Sequence, residues 1–257
     1  ILQPRTLKDS NVEADLSAFA ADFFVVAAYG KILPQAVLEI PQRKCINIHA
    51  SILPAYRGAS PIAHALLAGD DKTGVAIMQM EAGLDTGPVY HSVELPIACN
   101  DTTGTLTEKL AHLGADVLPD VLLGIAMQGI QPVQQNDAEA TYAPRIAKGD
   151  GWLDFSHVAV ELERKIRAYH PWPGTFTTKS DARIKILRAS VCPKSADVTP
   201  GTIIRADGEG IVVACGKDAL CLHEIHPAGK RAMQAAAWVA GRGVNSGESF
   251  DLEPPNY

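Results

Sequence analysis

Six successive apolar residues, Phe23-Phe24-Val25-Val26-Ala27-Ala28, narrow the folds open to this chain more than any other feature. A strand with no polar alternation has no face to give to water. It belongs inside a parallel sheet covered on both sides. The run stops at Tyr29-Gly30, and Ile32-Leu33-Pro34 opens a helix through Leu38. Cys45-Ile46-Asn47-Ile48-His49 is the next strand, with Ile46 and Ile48 on one face and Asn47 and His49 on the other. Ser60-Pro61 reads as an N-cap and first helical residue; Ile62, Leu66 and Leu67 form an apolar face and Gly69 ends the helix. Val75–Met80 is a further strand. Thr105-Leu106-Thr107-Glu108 matches a capping box, and Leu106, Leu110, Leu113, Val117 and Val121 continue at helical spacing to about Met127.

This alternation predicts an α/β fold, an open, mostly parallel, Rossmann-like sheet. Such sheets bind ligands outside the carboxyl ends of their strands. His49 ends one strand and Asp85 follows another, so the two are expected to meet at that edge.

Residues 131–150 are polar and weakly periodic and read as a linker between a domain at 1–130 and another at 151–257. Beyond the linker, Leu162, Ile166 and Tyr169 mark one helix. Short β-rich runs follow at Ile184–Leu187, Thr202–Ile204, Ile211–Ala214 and Ala219–Leu222. Gly208-Glu209-Gly210 is a hairpin turn between two of them. The spacing predicts a small, OB-like β-barrel.

The 257 residues suffice for one large or two smaller cores. No run of about 18 apolar residues points to a membrane span. Five cysteines without a Cys-x-x-Cys pair argue against a disulfide framework or a zinc site and for reduced thiols in a cytoplasmic or organellar matrix. His223-x-x-His226 has a spacing seen in metal sites, but no Cys or carboxylate completes the set, so no metal is expected. Residues 1–150 hold 10 basic against 17 acidic side chains, a balance of −7; residues 151–257 hold 13 against 12, a balance of +1. Only the second part can attract phosphate, and only locally.

The candidate chemistry lies in Asn47-Ile48-His49-Ala50-Ser51-Ile52-Leu53-Pro54 and Glu81-Ala82-Gly83-Leu84-Asp85-Thr86-Gly87. These segments combine a neutral amide donor, an imidazole and a carboxylate, the groups that acyl transfer to an amine requires. Taken singly, Asn47 could be a polar strand residue, His49 a structural histidine and Asp85 a turn former. The pattern as a whole resembles the folate-dependent formyltransferases. VAIMQMEAGLDTG at 75–87, Arg167–Gly174 and Pro227–Met233 are similar to the members that act on methionyl-tRNA. The resemblance runs from about residue 22 to about 235.

By resemblance, Asn47, His49 and Asp85 are catalytic, and Ser51, Ile52, Leu53 and Pro54, with Tyr29 and Gly30, contact the folate. The co-substrate implied is 10-formyltetrahydrofolate, and the partner is initiator methionyl-tRNA. Arg57, Arg164, Arg167, Lys230 and Arg231 are the residues expected to meet it, and a monomer is expected. Ile52 stands where the family has Leu, His170 where Asn is usual, and residues from about 236 depart from the family ending. The family begins with a strand and a glycine-containing loop, and this chain is expected to enter after them and to be poorly stable alone. Two alternatives keep other acceptors or roles open: a formyltransferase for a sugar nucleotide or another small amine, and an inactive fragment that only binds folate or tRNA.

Overall fold

A computed structural model of the chain describes residues 1–195 and 197–253. The chain divides into two compact units. The first holds residues 1–65, 70–98 and 105–145; the second holds 66–69, 99–104 and the residues from 146 onward.

The first unit opens with α1 (Ser10–Ser17), capped by the Asp9 carboxylate on the Asn11 N–H. There follow β1 (Phe23–Ala27), α2 (Gln35–Leu38), β2 (Lys44–His49), the two-residue β3 (Arg57–Gly58), α3 (Pro61–Ala68), β4 (Lys72–Gln79), β5 (Val89–Pro96), α4 (Thr103–Leu123) and β6 (Tyr142–Ala143). The sheet order is β1-β2-β4-β5. Only β1 and β2 run parallel; β4 is antiparallel to both β2 and β5. The expectation of a mostly parallel sheet is therefore corrected to a mixed one. An apolar run such as Val75–Met78 says that a strand is buried, not which way it points.

β1 departs from its expected interior place. Among the described residues it pairs with β2 alone, and Val25 is 44% exposed. Phe24 and Val26 point the other way, onto a cluster of Leu33, Val37 and Cys45. α2 starts at Gln35 rather than Ile32, because Pro34 is extended and Leu33 is drawn into that cluster.

α4 starts at Thr103, two residues before the expected capping box. A π-helical turn, Gly124–Gln128, continues it to the left-handed Gly129. Over Thr103–Gln128 the segment is long and apolar enough to cross a bilayer by length and mean hydropathy, although its charged residues interrupt any unbroken apolar run. Leu106, Leu110, Gly114 and Val121 form its buried stripe. At Gly114 the helix comes so close to the sheet that a Cβ would lie 2.9 Å from Ile48 and 3.7 Å from Val75. α4 thus covers the Ile48 face of β2 and leaves the Asn47 and His49 face to the site.

Residues 131–145 are not a bare connection. Val133 exchanges two 2.8 Å backbone hydrogen bonds with Val89, and β6 pairs in parallel with β3. Pairings this short leave no periodicity in the sequence.

The second unit holds α5 (Ala159–Ala168), β7 (Thr175–Lys179), β8 (Ala182–Cys192), β9 (Ile203–Asp207), β10 (Gly210–Ala214), β11 (Ala219–Pro227), β12 (Met233–Gln234) and α6 (Ala235–Ala240). Its sheet is antiparallel, in the order β7-β8-β11-β10-β9, with β12 on β11. The ladders run from β7 to β9, and the segment 247–251 reaches both ends of that path: the Asp251 N–H donates to the Thr178 carbonyl at 2.9 Å, and the Phe250 N–H to the Gly201 carbonyl at 3.0 Å. Hairpin spacing specifies neighbouring strands but not closure of the ends. Leu162 and Ile166 of α5 and Trp238 of α6 enter one core with Phe155, Ile186, Leu220 and Phe250.

Gly114→Val should overfill the contact between α4 and β2. The expected loss is about 1–3 kcal/mol, read as a lower urea midpoint at unchanged m-value. An unchanged midpoint would show that the helix can retreat from Ile48 without cost.

Candidate active site

β2 is held on both sides, with Asn47 opposite Val26 of β1 and Met78 of β4. Period two puts Asn47 and His49 on the same face, about 7 Å apart. Asn47 is half-buried, and among the described residues no hydrogen bond engages its side-chain amide. Its N–H donors are available. His49 is only 5% exposed. Its Nε2 lies 3.0 Å from the Tyr56 carbonyl oxygen, an acceptor only, so Nε2 carries the proton. In the neutral ring Nδ1 is then the free base, and it faces Asp85 Oδ2 at 3.7 Å.

The turn that brings Tyr56 over His49 is built from Ser51–Tyr56. The Ser51 hydroxyl donates to the Ala55 carbonyl at 2.6 Å, and the Ala55 N–H to the Ile52 carbonyl at 3.0 Å. The Leu53–Pro54 peptide is cis, and Tyr56 has φ +61°. The Tyr56 hydroxyl donates to Asp70 at 2.7 Å. Burial, and then the Asp70 carboxylate, push its pKa above the usual phenol range, so it acts as a fixed donor.

Asp85 reaches His49 by a route the strand pattern did not suggest. β4 runs antiparallel to β2, so its end lies where β2 begins: the Met80 N–H donates to the Cys45 carbonyl at 2.9 Å. The loop 81–87 must fold back along the sheet to bring Asp85 to His49. Three contacts hold it there. Asp85 Oδ2 accepts the Gly58 N–H at 2.8 Å. Gln135 Nε2 donates to the carbonyls of Asp85 and Gly87 at 2.8 and 2.7 Å. Gln135 Oε1 accepts from Arg57 Nε and an Arg57 terminal nitrogen at 3.0 and 2.9 Å. Gly58 itself has φ +123°, and a Cβ there would sit 2.7 Å from the Ala143 carbonyl oxygen. Only glycine lets β3 approach β6 while turning its N–H to Asp85.

Cys45, two residues before Asn47, is no nucleophile. Burial pushes its thiol up to about 11. The face therefore offers a neutral donor, a base and a carboxylate, without a thiolate.

The formyl transferase family pattern matches residues 2–122, and the pattern of the formyl transferase C-terminal domain matches residues 145–243. The methionyl-tRNA formyltransferase of Thiobacillus denitrificans is 50% identical over 248 residues, 96% of this chain and 80% of its own length. That of Pseudomonas fluorescens is 46% identical over 233 residues, 91% of this chain and 72% of its own. The chain belongs to the methionyl-tRNA formyltransferase family. Solved structures share the fold at lower identity. A methionyl-tRNA formyltransferase from Clostridium thermocellum gives a TM-score of 0.58 at 21% identity, covering 72% of this chain and 79% of its own. HypX from Aquifex aeolicus, in complex with tetrahydrofolic acid, gives 0.64 at 16%, covering 88% of this chain and 40% of its own.

Of the residues that the resemblance to these formyltransferases implied, Asn47, His49 and Asp85 share one face. Ser51 is buried in the turn, and Leu53 packs with Ala76 and Met78. Tyr29 and Gly30 leave β1 at the edge where His49 ends β2, since Ala27 pairs with Ile48. The basic residues divide. Arg57, expected at the tRNA, is 2% exposed and spent on Gln135 and Asp137. Arg164 lies against Gly69 and donates to the Ala68 carbonyl at the end of α3. Arg167 makes a two-pronged contact with Glu163 and donates to the Asp101 carbonyl. Lys230 and Arg231 are exposed. Gln135 escaped sequence reasoning, because one polar residue in a polar stretch carries no signal.

Replacing Gln135 by Ala should free the Asp85 loop and leave Arg57 short of two acceptor interactions. A loss of about 2–3 kcal/mol in urea unfolding is expected, with faster amide exchange at Gly58. Protection at Gly58 equal to wild type would mean that Asp85 is held without the amide.

Proposed function

We propose that the chain transfers a formyl group from 10-formyltetrahydrofolate to the α-amino group of methionine on initiator tRNA. The observation that carries this reading is the placing of Asn47, His49 and Asp85 on one sheet face, in a chain 43–50% identical to methionyl-tRNA formyltransferases. The first unit is the catalytic one; the second holds the tRNA.

The neutral amine attacks the formyl carbon, and a C–N bond forms as the carbonyl becomes an oxyanion. Asn47 donates its free amide N–H to that oxygen. The attacking nitrogen loses its proton, which His49 accepts at Nδ1, the nitrogen left unprotonated by the Tyr56 contact. Asp85 is placed to stabilise the resulting imidazolium. Collapse of the intermediate breaks the bond from carbon to N10, and the proton passes to N10. Tetrahydrofolate and formylated methionyl-tRNA leave. The segment Ser51–Pro54 and Tyr29-Gly30 line the folate side. No step calls for a metal. The N-formyltransferase of Helicobacter canadensis, solved in complex with folinic acid and dTDP-3-aminofucose, shares the fold alone, at 20% identity and a TM-score of 0.59, covering 75% of this chain and 70% of its own, and gives no ground for a sugar acceptor.

Asn47→Ala should lower kcat by about 10²–10³-fold, as for removal of one oxyanion donor, and leave folate affinity nearly unchanged. Turnover close to wild type would remove Asn47 from the mechanism.

Neutralising Lys230 and Arg231 together should raise KM for methionyl-tRNA and leave KM for the folate donor alone. The log–log salt dependence of tRNA binding should flatten by about 0.7–0.9 for each phosphate that is no longer neutralised. Unchanged tRNA affinity and salt slope would place the tRNA path elsewhere.

A further inference from the structure

Arg183, near the start of β8, is held in an unusual state. Its guanidinium carbon lies 3.6 Å from the centroid of the Phe176 ring. Its Nε is buried and has no hydrogen-bond partner. Among the described residues no carboxylate pairs with it. A buried guanidinium N–H left unsatisfied is costly, and a position over an aromatic ring uses none of the group's N–H donors. Among the described residues no hydrogen bond engages the two terminal nitrogens either, and these, unlike the buried Nε, can meet an acceptor from outside.

The surroundings say which acceptor. Arg183 lines a cleft of about 320 Å³ whose other cations are Lys179 and Lys230, and no acidic side chain lines it. The nearby carboxylates are already engaged. Glu248 holds Lys179 at 2.9 Å and the Asn245 side chain, and Asp251 accepts the backbone N–H groups of Ser180 and Asp181. Lys179 is thus half neutralised, while Arg183 and Lys230 are not. Another cleft of this unit, about 430 Å³, has the opposite character, with Asp150, Asp154 and Glu161 in its wall. Of these two, the first has the sign for an anion.

We propose that this cleft, formed by the β7–β8 hairpin, the turn after β11 and α6, binds a backbone phosphate of tRNA, with Arg183 as the oriented donor and Lys230 as the second cation. This rests on the reading that the second unit holds tRNA, and it adds a fixed receptor to two exposed cations. A guanidinium presents a rigid fork of donors that suits a phosphate diester better than a lysine ammonium does.

The test uses the full chain and uncharged initiator tRNA, with binding followed by fluorescence anisotropy across a salt series. Arg183→Met keeps an apolar stem over Phe176. It should weaken binding about tenfold, the scale of one charge-assisted hydrogen bond, and flatten the log–log salt slope by about 0.7–0.9. Arg183→Lys should recover part of the affinity. A cooperatively folded Arg183→Met protein with wild-type affinity and slope would overturn the proposal. If Arg183→Met does not fold, Lys230→Gln alone reads the same cleft, and an unchanged slope there would overturn it too. Thermal stabilisation by inorganic phosphate that depends on Arg183, with tRNA binding unaffected by the substitution, would make this a free-anion site and overturn the tRNA assignment. Binding needs no turnover. A chain that fails to formylate methionyl-tRNA but still binds it through Arg183 would count against the proposed reaction and for this site.

Discussion

One carboxylate oxygen ties the site together. Oδ2 of Asp85 accepts the Gly58 N–H at 2.8 Å and stands 3.7 Å from Nδ1 of His49. Without it, three stretches of chain far apart in sequence would have no common point: the end of β2, the two-residue β3 and the loop after β4. The loop starts at the wrong edge of the sheet for Asp85 to reach His49 by strand direction alone. Its path back is secured from behind by Gln135, and Gln135 is secured by Arg57. The charge of Arg57 never reaches solvent. It sets the position of an amide, which sets the position of a loop, which presents the carboxylate to the imidazole.

The same economy appears in the backbone. β2 carries Asn47 and His49 on one face because α4 takes up the other, pressed against Ile48 at Gly114. The Tyr56 carbonyl then fixes which nitrogen of His49 bears the proton. The tautomer of the neutral ring is thus set by the tight turn Ser51–Tyr56.

Much of this was legible in the residues. The period of two at Cys45–His49 placed Asn47 and His49 together, and the resemblance at 81–87 singled out Asp85. The helix through Leu106, Leu110 and Val121 followed from spacing. Strand direction did not, since Val75–Met78 is equally apolar whichever way it runs; the expected parallel sheet is mixed for that reason. Phe23–Ala27 looked like an interior strand, yet among the described residues β1 is paired on one side only. Arg57 looked like a surface cation because burial of a charged residue depends on a partner, Gln135, that is 78 positions away. The polar stretch from Gln131 looked like a linker because its pairing is too short to leave a pattern.

The central claim is that His49 and Asp85 act as one unit. A double-mutant cycle on formyl transfer to methionyl-tRNA tests it most directly, with kcat measured for His49→Ala, Asp85→Ala and the pair. The account predicts strong non-additivity, with the double variant about as slow as the slower single variant. Losses that multiply would mean that the two residues work independently, and the 3.7 Å approach of imidazole to carboxylate would then have no part in the reaction.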